Sequence, residues 1–306
     1  MYPLPSRNGP IPRQSGTRPD PGLSRGLPAN ELFRFDGELV LVTVAADRAD
    51  QFQIDFPVVG KIVWQLKVSQ KFGDAPFFFG QGSSPLIYGE LLIVHAGGPG
   101  ACVAGLDKAT GEVKWTTKHE WNGSYASPVL GKVNGEDRVF VLAGGMVKPP
   151  HGGLICLNPK DGKIDDAVPW RSDMFASVLA ASPVPCGENR VFITEDYGRG
   201  GAMIEFDVNF KARIAWQAGD LNCQFQTPIY HDGMLYGFGG SGGLMLAYDT
   251  RYGQLRWSET FIRLTIPWSG RELPVNMGRG NLIYADGGFF CLGENGTFLR
   301  LSLTSS

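Results

Sequence analysis

The stretch GLDKATGEVKW, Gly105–Trp115, decides the fold of this chain. An apolar segment ends in Asp107, three turn residues lead to Gly111, and a second strand begins and carries Trp115. An aspartate at that place can accept hydrogen bonds from the backbone N–H groups of the following turn. The glycine suits a left-handed position, as in a short hairpin loop closed by a bulge. A tryptophan at a fixed distance from the turn reads as a packing anchor between neighbouring sheets.

The same unit returns along the chain. It stands as CLNPKDGKIDDAVPW at 156–170, with an insertion before Trp170, and as EFDVNFKARIAW at 205–216, with Ala212 where glycine is expected. AYDTRYGQLRW at 247–257 repeats it closely. VVGKIVWQLKV at 58–68 holds only its second half, and CLGENGTFLRL at 291–301 is a degenerate copy without tryptophan. The repeat therefore assigns turn roles to Asp107, Asn158, Asp207 and Asp249, left-handed positions to Gly111, Gly162 and Gly253, and anchor roles to Trp115, Trp170, Trp216 and Trp257. Between these units lies a second pattern, Ser/Thr-Pro followed by an apolar hairpin, with Pro85, Pro128, Pro183 and Pro228 spaced 43, 55 and 45 residues apart. Hairpin plus hairpin makes four strands in roughly 40–50 residues, the period of a propeller blade. The expected fold is an all-β propeller of four-stranded blades. About five whole blades (83–117, 126–172, 181–217, 226–259 and 278–303) follow a partial one at 58–68.

The A-x-D-x-x-T-G-x-x-x-W unit resembles the pyrroloquinoline-quinone (PQQ) repeat of quinoprotein-alcohol-dehydrogenase-like β-propellers. Over residues 60–303 the chain is similar to bacterial, planctomycete-type PQQ-like repeat proteins, and distantly to the outer-membrane barrel-assembly lipoprotein. Kelch repeats, with their glycine pairs, fit less well. The resemblance implies six to eight blades and, for the enzymes of the group, a quinone held on the axis with a calcium-type ion, a catalytic Asp and often a disulfide between adjacent cysteines. Cys102, Cys156, Cys186, Cys223 and Cys291 are never adjacent, and no segment matches the ion-binding set. The reading that follows is a non-catalytic binding scaffold for a protein, peptide or glycan, with no cofactor expected. A PQQ- and calcium-dependent oxidoreductase acting on an alcohol or sugar is the rival reading. Fold alone does not choose between them.

Composition narrows the function classes. With 28 basic and 30 acidic residues the formal charge is -2, which does not supply the basic face that nucleic-acid binding needs. No apolar run approaches the ~20 residues of a membrane helix. In residues 1–30, Pro, Gly, Ser and Arg fill 18 places and Asp20 is the single carboxylate. Such a stretch has too little apolar surface to offset its ordering entropy. Residues 1–57 are thus expected to be disordered or foreign to the repeat, and 58–306 to form the propeller. No signal-peptide h-region is present. An export signal upstream of the repeats, and a periplasmic or extracytoplasmic location, are expected if residues 1–59 stem from a wrong start or frameshift; a divergent N-terminal strand set is the other reading. A ring short of blades is expected to expose an apolar face and self-associate through its open edge.

Candidate chemistry is sparse. His95, His119, His151 and His231 show no metal-ligand spacing. Glu195 and Asp196, adjacent in EDYGRGG, can bind a hard cation or form a solvated turn. No catalytic residue is assigned. In a propeller, the loops leading into each innermost strand and those joining strands two and three gather on one face. Here they carry Trp121, Asn122, Tyr125, Phe175, Asp196, Tyr197, Gln224 and Gln226, aromatics and amides of the kind binding surfaces expose.

Overall fold

A computed structural model describes residues 31–35, 40–43, 62–73, 82–144, 152–174, 177–240, 242–265 and 268–305. The expectations for residues 1–30 and 44–61, for His151 and for Phe175 lie outside the described residues.

The first elements among the described residues are β1 (Glu31–Phe35), β2 (Val40–Thr43) and β3 (Ile62–Lys67), in the order β2-β1-β3, followed by a short helix α1 (Val68–Phe72). β1 and β2 lie within residues 31–57, the stretch read as foreign to the repeat or as a divergent strand set, and β1 pairs antiparallel with the repeat fragment β3. Four regular antiparallel blades come next. Blade I is β4 (Leu86–Tyr88), β5 (Leu91–Gly98), β6 (Ala101–Asp107) and β7 (Val113–Thr117). Blade II is β8 (Val129–Val133), β9 (Glu136–Ala143), β10 (Gly153–Leu157) and β11 (Ile164–Pro169). Blade III is β12 (Val184–Pro185), β13 (Arg190–Glu195), β14 (Gly200–Phe206) and β15 (Ala212–Ala218). Blade IV is β16 (Ile229–His231), β17 (Met234–Gly239), β18 (Leu244–Asp249) and β19 (Gln254–Glu259). A separate hairpin, β20 (Ile262–Thr265) and β21 (Glu272–Val275), precedes blade V, which has three strands: β22 (Asn281–Ala285), β23 (Gly288–Leu292) and β24 (Phe298–Leu301). The first strands of successive blades, β8, β12, β16 and β22, neighbour one another, as inner strands of a propeller do.

The core is a series of interblade layers. Strands β5, β9, β13 and β17 are buried almost throughout, because both sheet faces are covered, and they read as continuous apolar runs. Ile93 and Trp121 of the blade I side meet Val139, Val141 and Ile155 of blade II. Phe192 and Met203 of blade III meet Leu235 and Leu246 of blade IV. The first blade is closed by Trp64, Leu66, Val68 and Phe72.

The turn of the repeat forms as its residues dictate. Asp107 Oδ1 accepts from the N–H groups of Ala109 and Thr110, both at 2.9 Å, and Asp249 Oδ1 accepts from Arg251 at 2.8 Å and Tyr252 at 3.1 Å. Gly111, Gly162 and Gly253 all have positive φ. Each glycine lies beneath the tryptophan of the preceding repeat: a Cβ on Gly111 would meet Trp64, on Gly162 Trp115, and on Gly253 Trp216. Trp64 and Trp216 also donate Nε1–H across the junction, to the carbonyls of Lys108 at 3.2 Å and Thr250 at 2.9 Å. Trp257 donates likewise to Thr304 at 2.8 Å.

Trp170 is a buried anchor between blades II and III, as expected, but not at the register position of the other tryptophans. Register places Asp166 opposite Cys156 just after the bulge, where blade I places Trp115 opposite Gly105. The insertion before Trp170 carries that ring past the end of β11. Asp166 instead accepts the Ala212 N–H at 2.8 Å and pairs with Lys211 at 3.6 Å. The facing turn has changed in step: the left-handed residue is Phe210, whose ring lies 4.2 Å from the Arg138 guanidinium, rather than a glycine under an indole.

Candidate functional site

The Ser/Thr-Pro motif places a hydrogen-bonded ladder at the start of the inner strands. Ser84 N–H donates to Ser127 Oγ at 3.0 Å, Ser127 N–H to Ser182 Oγ at 3.1 Å, and Ser182 N–H to Thr227 Oγ1 at 3.0 Å. Each hydroxyl thus serves the blade before its own. The pattern was visible in the sequence, but its partners are 43–55 residues away.

Around this ladder the interblade loops and the β13–β14 turn build one polar network. Arg171, just past β11, forms an ion pair with Glu195 at the end of β13, and both side chains are almost fully buried. Glu195 also accepts the Ser172 N–H at 2.8 Å, and Arg171 donates to the Ser177 carbonyl at 2.8 Å. Burial pushes the Glu195 carboxyl up and the Arg171 guanidinium down, each opposed by the charge of the other. Desolvation thus outweighs pairing for both groups, the usual balance for a buried ion pair. Glu195 is therefore neither in a solvated turn nor open to a cation, which corrects that expectation.

The network continues across the face. Tyr197, left-handed at φ 61, accepts the Ser172 hydroxyl at its carbonyl, 2.8 Å away. Its phenol oxygen accepts from Gln224 Nε2 at 2.8 Å. Gln224 Oε1 accepts from Arg279, which pairs with Glu294 at 2.9 Å. Asp196 accepts from Asn222 Nδ2 at 2.8 Å. Side chains from blades III, IV and V are thereby tied together on one face.

The ring-face residues singled out in the sequence separate by burial. Asp196, Tyr197 and Gln224 come together in this network. Asn122 and Tyr125 are half-buried in the loop after β7. Trp121 and Gln226 are buried, at 5% and 3% exposure, which corrects their assignment to an exposed surface. Trp121 packs between blades I and II, and Gln226 donates to the Phe238 carbonyl at 2.7 Å. Composition cannot distinguish an interblade aromatic from a displayed one. Phe225 and Met174 are the apolar side chains these loops do expose.

Sequence reasoning missed Arg171 and Arg199. The Arg199 guanidinium lies 3.6 Å above the Trp170 ring. Its Nε and the Trp170 Nε1 are buried donors without a hydrogen-bond partner. Arg199 makes no ion pair among the described residues. The displacement of Trp170 by its insertion was the available signal. His95, within β5, is also buried; its ring faces the backbone of Asn122 and Ala126, with neither nitrogen in hydrogen-bond geometry. The five cysteines are free and buried, and burial holds the Cys102, Cys186 and Cys223 thiols up at about 12.

A family model described as outer membrane protein assembly factor BamB matches residues 33–169 and 103–265. No curated protein matches the chain. Among solved structures, BamB from Moraxella catarrhalis is similar at 13% identity and a TM-score of 0.47, over 78% of this chain and 72% of that one. Quinohemoprotein alcohol dehydrogenase from Comamonas testosteroni aligns at 12% identity and a TM-score of 0.47, over 76% and 47% of the two chains. A europium-containing methanol dehydrogenase aligns at 15% identity and a TM-score of 0.42, over 72% and 50%. The chain spans about half the length of the two dehydrogenases.

Proposed function

The chain belongs to the PQQ-like β-propeller repeat family of outer membrane protein assembly factor BamB, and from that premise we propose that it is a non-catalytic scaffold whose ring face binds a protein, peptide or glycan partner. One observation carries the reading. In a face whose polar groups are largely spent on one another, the Arg199 guanidinium lies over the Trp170 ring without a direct ion pair among the described residues, the buried Glu195 carboxylate being a nearby charge already paired with Arg171. A guanidinium stacked on an indole is a preorganised fork for a carboxylate, and exposed Met174 and Phe225 add apolar contact on the same face. The partner chemistry this favours is an acidic protein or peptide segment.

The donor set does not suit a quinone with its calcium-type ion. Glu195 is committed to Arg171 and Ser172, and Asp196 accepts from Asn222. Among the described residues no three His, Cys, Asp or Glu side chains cluster for a metal. No reaction step is assigned through that group.

A fluorescein-labelled oligo-glutamate peptide tests the proposal by anisotropy. Saturable, salt-sensitive binding is expected. Arg199→Ala and Arg199→Lys should each weaken it about tenfold, since a lysine cannot replace a bidentate, charge-assisted contact worth ~1.5–3 kcal/mol. Unchanged binding by both variants overturns the site. Saturable tryptophan quenching by PQQ with calcium, together with dye-linked alcohol oxidation, overturns the scaffold reading.

A further inference from the structure

We infer that the buried Arg171–Glu195 ion pair and Ser172 are positioning groups, which set the β13–β14 turn so that Arg199 lies over Trp170. This role rests on Arg199 being the anion contact proposed above and extends it to the groups that hold the contact in place.

The neighbouring junctions of the repeat supply the comparison. At the I/II junction the entry loop places Trp121 just before Asn122, whose carbonyl accepts from Gly144 at 2.8 Å. At the III/IV junction it places Leu221 just before Asn222, whose carbonyl accepts from Gly240 at 3.1 Å. Trp121 and Leu221 are buried apolar side chains. The last ladder residues of the second strands at these junctions are small, Ala143 and Gly239. At the II/III junction Arg171 stands just before Ser172, and the last ladder residue is Glu195. Two positions that are apolar or small on either side thus hold a buried ion pair here. Desolvating two charges offsets most of what such a pair returns, so apolar residues would serve the fold at least as well. At the flanking junctions they do so.

The pair is wired to the turn that carries Arg199. Glu195 ends the strand leading into that turn and accepts the Ser172 N–H at 2.8 Å. The Ser172 hydroxyl donates to the Tyr197 carbonyl at 2.8 Å and accepts the Met174 N–H at 3.1 Å. Tyr197 is left-handed at φ 61, a conformation that a residue other than glycine keeps where its surroundings impose it. Gly198 follows at φ 78, and the Arg199 N–H closes the turn on the Asp196 carbonyl at 3.3 Å. One buried hydroxyl therefore fixes both the turn of Arg199 and the loop that exposes Met174. A binding group held in this way by a supporting shell loses little freedom when its ligand arrives.

Arg199 Nε is buried, so its Hε can be followed by nuclear magnetic resonance in the full chain carrying isotope-labelled arginine. The signal is identified by its loss in Arg199→Lys. It is expected upfield of the other arginines, because the guanidinium lies over the indole ring. Ser172→Ala should move it toward the others and weaken oligo-glutamate binding about tenfold. Ser172→Thr, which keeps the hydroxyl, should restore both. Arg171→Leu combined with Glu195→Ala, the residue types of the flanking junctions, should act as Ser172→Ala does while keeping the far-UV circular dichroism of the parent. An Arg199 signal that Ser172→Ala or the double variant leaves in place overturns the inference, whatever the peptide does. A signal that moves while peptide binding stays at the parent level upholds the positioning and overturns instead the reading of Arg199 as the anion contact.

Discussion

Gly253 shows how much of this fold is fixed at single positions. It is left-handed at φ 66, and a Cβ there would lie 2.5 Å from Trp216 Cδ2. Gly233 is also left-handed, at φ 78, but nothing stands within 4 Å of its would-be side chain. Gly233→Ala should therefore cost only the backbone term, ~1–2 kcal/mol. Gly253→Ala should cost distinctly more, because the indole must also move out of its hydrogen bond to Thr250. Urea unfolding of the two variants compares them directly; equal losses would remove the interblade clamp from the account. His95 supplies a second test. Burial lowers its imidazole from 6.5 to about 4. Below pH 6.5 the unfolded chain takes up a proton that the folded chain refuses until about pH 4. The stability associated with this group is therefore full above pH 6.5 and is lost as pH falls toward 4, by about 3 kcal/mol in all. His95→Leu should flatten the denaturation midpoint between pH 6.5 and 4 relative to the parent. An unchanged pH slope would show that His95 is already protonated in the folded chain.

At the scale of the element, the repeat was legible because its turn is local. An aspartate that caps its own turn and a glycine three or more residues on need no knowledge of the rest of the chain. What the repeat does between blades was not legible, because each Trp64, Trp115 or Trp216 works on the turn of the next unit. The insertion in KIDDAVPW shows the limit. The motif led to Trp170, while the structure uses Asp166 and turns Trp170 into the platform of Arg199. The Arg171–Glu195 pair was hidden for the same reason, its members lying in different blades. The II/III junction thus replaced an apolar clamp with a polar one, which makes a prediction for Asp166. Asp166→Ala leaves the Ala212 N–H without its acceptor and the Lys211 ammonium with only the Asp165 carbonyl, and should cost ~1–3 kcal/mol. Asp166→Asn keeps an oxygen for Ala212 and should cost less. Asp166→Trp should not restore the clamp, since Phe210 occupies the left-handed position of a facing turn with no glycine. A tryptophan variant as stable as the parent would contradict this account of the junction.

For the whole molecule, blades that touch mainly their neighbours make stability a chain of local terms. Blades II, III and IV each have two covered faces, whereas blade V is held on one side, by the cluster in which Trp257, Tyr236 and Phe289 meet. Trp257 adds the hydrogen bond to Thr304, beyond the last strand. Removing that indole should therefore loosen the end of the array and leave its middle intact. In Trp257→Ala, the β22–β24 amides should exchange at least tenfold faster than in the parent, while those of β9 and β13 keep their protection. A uniform rise in exchange across all blades would mean that the array opens as one cooperative unit, and the picture of additive interblade junctions would have to be given up. Exchange confined to blade V would identify Trp257 as the bond between the closed part of the array and the blade that carries its open face.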